Sequence, residues 1–167
     1  MQPVRILIVD DHEVMRGGLR SLLGSLPEWE VCGEAVDGLE AVEKTKELRP
    51  DVVVLDINMP TLNGLEAVRL IRKEVPQTQV VMLSRYEAAE MRSKALEAGA
   101  CEYVPKSQNL ARELLAAIDE IVRRRWMSNP HAQVSPTETS SQGTPAAGAE
   151  EFGAPHSKLA SNSGPQT

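Results

Sequence analysis

Four consecutive aliphatic residues between two carboxylates, Asp51-Val52-Val53-Val54-Leu55-Asp56, constrain this chain more than any other feature. A half-exposed strand alternates apolar with polar; an unbroken run of β-branched residues fits a strand covered on both faces. Such strands belong to parallel sheets enclosed by helices. The two carboxylates mark where the buried stretch enters and leaves the covered zone.

The neighbouring sequence supplies those helices. Val4 to Val9 is a run of β-formers interrupted by Arg5, after which Met15, Leu19, Leu22, Leu23 and Leu26 recur at helical spacing. Val31 to Val36 reads as a second strand, followed by Leu39, Val42 and a helix that stops before Pro50. The central strand is followed by a helix over Gly64 to Val75, a fourth strand over Gln79 to Leu83, and a helix over Glu87 to Ala98 closed by Gly99. Cys101 to Val104 is a fifth strand, and Leu110, Leu114, Leu115, Ile118, Ile121 and Val122 form the most regular amphipathic stripe in the chain. Five strand–helix units with short connections predict an α/β fold: a doubly wound parallel five-stranded sheet with right-handed crossovers.

That pattern ends near Trp126. Residues 127–167 hold 26 Pro, Gly, Ser, Thr or Ala among 41 positions, without apolar period, and are expected to form a disordered tail behind a domain spanning 1–126. The net charge of −6 argues against a surface that holds nucleic acid, and the three-arginine run Arg123-Arg124-Arg125 suits a helix C-terminus. DNA binding by this chain alone is therefore not expected. No apolar run reaches membrane-spanning length, no signal peptide is visible, and Cys32 and Cys101 read as small buried hydrophobes in a reducing compartment. A cytoplasmic protein is expected.

In open parallel sheets, ligands sit beyond the carboxyl ends of the strands. There this sequence places Asp10 and Asp11, Asp56, Ser84 and Lys106. Each has an ordinary reading alone: Asp10 and Asp11 as helix caps, Asp56 as a turn residue, Ser84 as N-cap of the fourth helix, Lys106 as a solvated charge, His12 as a helix-surface residue. Together they are less ordinary, because three grouped carboxylates require a cation. Oxygen-only ligation suits a hard divalent ion such as Mg²⁺, which together with Lys106 balances the three negative charges. A carboxylate in such a setting can attack phosphorus and form an acyl phosphate.

Five motifs in order, Ile6-Leu7-Ile8-Val9-Asp10-Asp11-His12, Val52 to Pro60, Asn63-Gly64, Val81-Met82-Leu83-Ser84 and Tyr103-Val104-Pro105-Lys106, resemble the response-regulator receiver domain, most closely its NarL/FixJ type. The resemblance covers about residues 4–125. It implies flavodoxin-like strand order 2-1-3-4-5 and phosphorylation of Asp56 by a histidine kinase or phosphotransfer protein. It further implies Mg²⁺ held directly by Asp11, Asp56 and the backbone carbonyl of Asn58, with Asp10 acting through water. Ser84 would move toward the phosphoryl group, Lys106 would pair with it, and the Tyr103 rotamer would follow Ser84. The surface of the fourth helix, fifth strand and fifth helix would then meet a downstream protein or a second copy of the chain.

Three features depart from the family pattern. Ser107 replaces the proline common after the lysine, so no cis peptide is expected there. Arg85 is larger than the residue common beside Ser84; it either crowds Asp56 or adds a charge to the phosphoryl group. Residues 127–167 are not expected to form the helix-turn-helix output module usual in this subfamily, although Val134-Ser135-Pro136-Thr137-Glu138 faintly resembles its opening. Two other functions would use the same residues. A phosphohydrolase using an aspartyl-phosphate wants an acid two positions after the nucleophile, where Asn58 stands. A binding module that never becomes phosphorylated would have no need of the intact five-residue set.

Overall fold

The computed structural model describes residues 2–128. The expected tail from residue 129 onward, with the Val134 to Glu138 motif, lies outside the described residues. Strands β1 (Val4–Val9), β2 (Trp29–Ala35), β3 (Val52–Asp56), β4 (Gln79–Ser84) and β5 (Glu102–Pro105) alternate with helices α1 (Glu13–Leu23), α2 (Gly38–Leu48), α3 (Gly64–Glu74), α4 (Ala89–Ala98) and α5 (Leu110–Ser128). All strand pairs are parallel, in the order β2-β1-β3-β4-β5. The expected order and fold class are those observed.

Strand alternation divides the core into two layers. Ile6, Ile8, Val52, Val54, Val81 and Leu83 face α1 and α5, meeting Leu19, Leu23, Leu114, Ile118 and Ile121. Leu7, Val9, Val53, Leu55, Val80 and Met82 face the other way, toward Ala41 of α2, Ala67, Val68 and Ile71 of α3, and Ala95 and Ala98 of α4. Every residue of β3 is buried, as its unbroken aliphatic run requires.

Local details depart from the sequence reading in several places. β2 starts at Trp29, two residues earlier than expected, and carries a bulge between the pairs Ile6–Val31 and Leu7–Gly33. Cys32 is the extra residue, its thiol donating to the Ile6 carbonyl at 3.4 Å. Both cysteines are half-buried rather than fully buried. Leu26 lies beyond α1, and Leu39 is 51% exposed because α2 turns Gly38, Ala41 and Thr45 to the sheet instead. α5 continues to Ser128, two residues past the boundary that composition suggested. α4 ends at Gly99, whose φ of 115° is a left-handed conformation that side chains rarely adopt.

Candidate functional site

The carboxyl ends of β1, β3, β4 and β5 gather the residues singled out above. β1 ends at Val9, and Asp10 turns the chain toward α1: its Oδ1 accepts the His12 N–H at 2.8 Å. His12 is the N-cap of α1 and makes no side-chain capping bond. The capping reading of the two aspartates therefore fails, since Asp10 serves the turn amide and Asp11 points its carboxylate at the His12 ring, 2.9 Å from Nδ1.

Asp56 closes β3. The chain then loops through Asn58, Pro60 and Thr61 before Asn63 caps α3 by accepting the Glu66 N–H at 3.0 Å. The Gly64 N–H donates back to the Ile57 carbonyl at 2.9 Å. A Cβ at Gly64 would lie 2.3 Å from the Asp56 carbonyl oxygen, so only glycine lets α3 begin this close to the carboxylate-bearing residue.

Lys106 follows β5, tied by its own N–H to the Ser84 carbonyl at 2.6 Å. Its side chain is 4% exposed, which overturns the solvated reading. The ammonium stands 2.6 Å from Asp10 Oδ2 and 3.2 Å from Asp56 Oδ1. The second contact is an ion pair without hydrogen-bond alignment, and Asp56 Oδ1 is a buried oxygen with no hydrogen-bond partner. Burial pushes the Asp56 carboxyl above its usual range, Lys106 opposes that shift, and the Asp10 charge adds to it.

Ser84 is fully buried, and its Oγ accepts the Tyr86 N–H at 3.1 Å. The N-cap of α4 is Ala88, so Ser84 does not cap that helix. Tyr103, expected as the aromatic whose rotamer follows Ser84, is buried and donates its hydroxyl to the Tyr86 carbonyl. Arg85 reaches across to His12, Nη2 to Nε2 at 3.2 Å.

Two further residues shape the site. Arg16, four positions after His12 and hence on the same side of α1, donates from Nη1 to the Asp10 carbonyl at 2.9 Å and from Nε to Glu34 at 3.3 Å. Gly64 supplies the close approach described above. Gly64 belongs to the Asn63-Gly64 motif, whereas Arg16 lies in no motif, although its helical spacing from the acidic turn is a usable signal.

Asp10, Asp11, His12 and Asp56 bring one ligand atom each to within 4.8 Å of one another. Three of these donors are carboxylates, one with an unbonded buried oxygen. That chemistry fits a hard divalent cation, whose charge such a cluster needs. Asn58 is exposed in the β3–α3 loop that follows Asp56.

Comparison with known proteins agrees with this geometry. Residues 6–119 match the sequence pattern described as the response regulator receiver domain. The chain is 46% identical over 124 residues to a protein-glutamate methylesterase/protein-glutamine glutaminase of Pyrococcus abyssi, covering 72% of this chain and 33% of that protein. It is 35% identical over 130 residues to the response regulator GacA of Pseudomonas viridiflava, covering 78% and 61%. The chain thus spans about a third of the length of the methylesterase. Among solved structures, the response regulator domain of Thermotoga maritima CheB superimposes with a TM-score of 0.68 at 42% identity, covering 73% of this chain and 98% of that one. A LuxR-family regulator from Aurantimonas sp. SI85-9A1 gives 0.70 at 36% identity, covering 74% and 87%. Five parallel strands in the order 2-1-3-4-5, an acidic cluster at their carboxyl ends and a match over most of the folded residues lead to one assignment: the chain belongs to the response regulator receiver domain family of two-component signal transduction.

Proposed function

We propose that Asp56 accepts a phosphoryl group from a histidine kinase or phosphotransfer protein. The observation that carries this reading is the Asp56 Oδ1 atom: buried at the end of the central strand, beside an ammonium, and without a hydrogen bond. A buried polar atom with no partner is costly unless function requires it free. The carboxylate oxygen attacks phosphorus, a new O–P bond forms, and the P–N bond of the donor phosphohistidine breaks as its imidazole departs. Lys106 moves its charge onto the arriving phosphoryl oxygens, and the Ser84 hydroxyl turns from Tyr86 toward the same group.

Asp11, Asp56 and the Asn58 carbonyl would hold Mg²⁺, with Asp10 acting through water; the ion supplies charge neutralisation on the transferred oxygens. Asp10 suits the indirect role because both its oxygens are already engaged, one by the His12 amide and the other by Lys106.

The phosphoryl group, which replaces the single carboxylate charge by one near −2, biases the surface of α4, β5 and α5 through Ser84 and Tyr103. A downstream protein or a second copy of this chain reads that surface. The phosphoacceptor chemistry needs no turnover enzyme in this chain, and the methylesterase relative is matched over a third of its length only. We further propose a receiver domain over residues 1–126 that acts in the cytoplasm and does not bind DNA by itself. Arg123, Arg124 and Arg125 are each paired with an acid, Asp119, Glu120 and Asp51. No helix among the described residues is long and apolar enough to cross a membrane.

The test is incubation with acetyl phosphate and Mg²⁺ followed by peptide mass analysis. One phosphoryl group should be found on Asp56. Equal labelling of Asp56→Asn would overturn the assignment.

A further inference from the structure

Asp56 lies under a strap. The sheet order puts β3 between β1 and β4, so any link from the end of β4 to the β1–α1 turn crosses the end of β3, where Asp56 stands. Such a link exists. Arg85, the first residue beyond β4, places Nη2 3.2 Å from His12 Nε2. On its other edge the His12 ring sets Nδ1 2.9 Å from Asp11 Oδ1 and 3.3 Å from Asp10 Oδ1.

The chemistry of the link is fixed by its two ends. A guanidinium only donates hydrogen bonds, so His12 Nε2 must accept. Carboxylates only accept, so the ring proton sits on Nδ1. Both ring nitrogens are thereby spent in the bridge. His12 is free to do so because its side chain does not cap α1.

We propose that Arg85, docked on His12, is the access-determining residue of the Asp56 site, closing it against small phosphodonors. The proposal rests on the reading of Asp56 as phosphoacceptor. A donor reaches the Asp56 carboxylate only after the Arg85–His12 contact opens, and the guanidinium then swings out to solvent, to which Arg85 is already exposed. A cation whose sole effect was to attract anionic donors would have the opposite kinetic consequence, which separates the two roles.

The experiment measures the rate of Asp56 labelling by acetyl phosphate at saturating Mg²⁺ for wild type, Arg85→Met and Arg85→Lys. Arg85→Met keeps much of the length without the donors and should label roughly three- to tenfold faster, the effect of losing one hydrogen bond that holds the mouth shut. Arg85→Lys retains a donor and a charge and should fall between the two. Nitrogen-15 NMR of the metal-free proteins gives an independent readout: His12 carries its proton on Nδ1 in wild type, and this preference weakens in Arg85→Met. Labelling of Arg85→Met at or below the wild-type rate, with Asp56 still the labelled residue, overturns the strap and leaves the phosphoacceptor intact. Absence of label on Asp56 in wild type and in Arg85→Met alike overturns both.

Discussion

Asp51 and Asp56 flank the same four aliphatic residues, yet the two ends of β3 treat them oppositely. At the entry, Asp51 Oδ2 accepts the Arg5 N–H at 2.9 Å and Oδ1 meets the Arg125 guanidinium. Its backbone N–H donates to the Arg5 carbonyl at 2.8 Å, and its carbonyl accepts from Gln79 at 3.0 Å. Nearby, the buried Thr78 hydroxyl satisfies the Pro50 carbonyl at 2.8 Å. At the exit, Asp56 shares one lysine with Asp10 and keeps an oxygen unbonded. One end is a closed hydrogen-bond account that fastens β1, β3, β4 and α5 together. The other is left open, at a cost to stability, where a reactant must arrive.

The largest effect that separates the two ends is chemical. Asp56→Asn should abolish labelling by acetyl phosphate, whereas Asp51→Asn should retain it, as read by intact mass. Mg²⁺ affinity comes next. Asp11→Asn should weaken binding at least about tenfold by calorimetry, since few hard ligands remain, and Asp51→Asn should leave it unchanged.

Stability should then move in opposite directions. In metal-free protein near neutral pH, Asp56→Asn removes a buried charge with an unbonded oxygen and should stabilise by about 1–2 kcal/mol. Asp51→Asn loses charge-assisted bonds to Arg5 and Arg125 and should destabilise by about 1–2 kcal/mol. Urea unfolding measures both. The pH dependence sharpens the contrast. With its folded pKa raised, Asp56 holds its proton where the unfolded chain has released it, so its contribution favours folding at low pH and is lost as pH climbs through the folded value. The advantage of Asp56→Asn should therefore be full at neutral pH and vanish on acidification. The smallest effect belongs to Arg125→Ala, below about 1 kcal/mol, because that ion pair is partly exposed.

The strand order and the two-layer core follow from β3 and from alternation in β1 and β4, where local pattern and tertiary burial agree. The start of α4 was less legible, because the Ser84 hydroxyl bonds the Tyr86 amide and the helix begins only at Ala89. Helical periodicity carries no sign of such a side-chain bond. The bulge at Cys32 was invisible for a similar reason: nothing in β2 shows that Gly33, not Cys32, pairs with Leu7. Among site residues, the types and order were readable, but the burial of Lys106 and the bridge from Arg85 to His12 join positions far apart in sequence and arise only from topology.

Tyr86 carries a consequence of its own. Its N–H is held by the Ser84 hydroxyl and its carbonyl by the Tyr103 hydroxyl, so the backbone of one residue is gripped from the end of β4 and from β5 at once. When Ser84 turns to another acceptor, one grip is exchanged for a bond to water rather than lost outright, a swap that costs little free energy. Two arrangements of nearly equal energy interconvert spontaneously and are both occupied at rest. The Tyr86 hinge should therefore sample its alternative position on the microsecond-to-millisecond timescale before any phosphoryl group arrives, and relaxation-dispersion NMR of residues 84–88 would measure the size of that minor population.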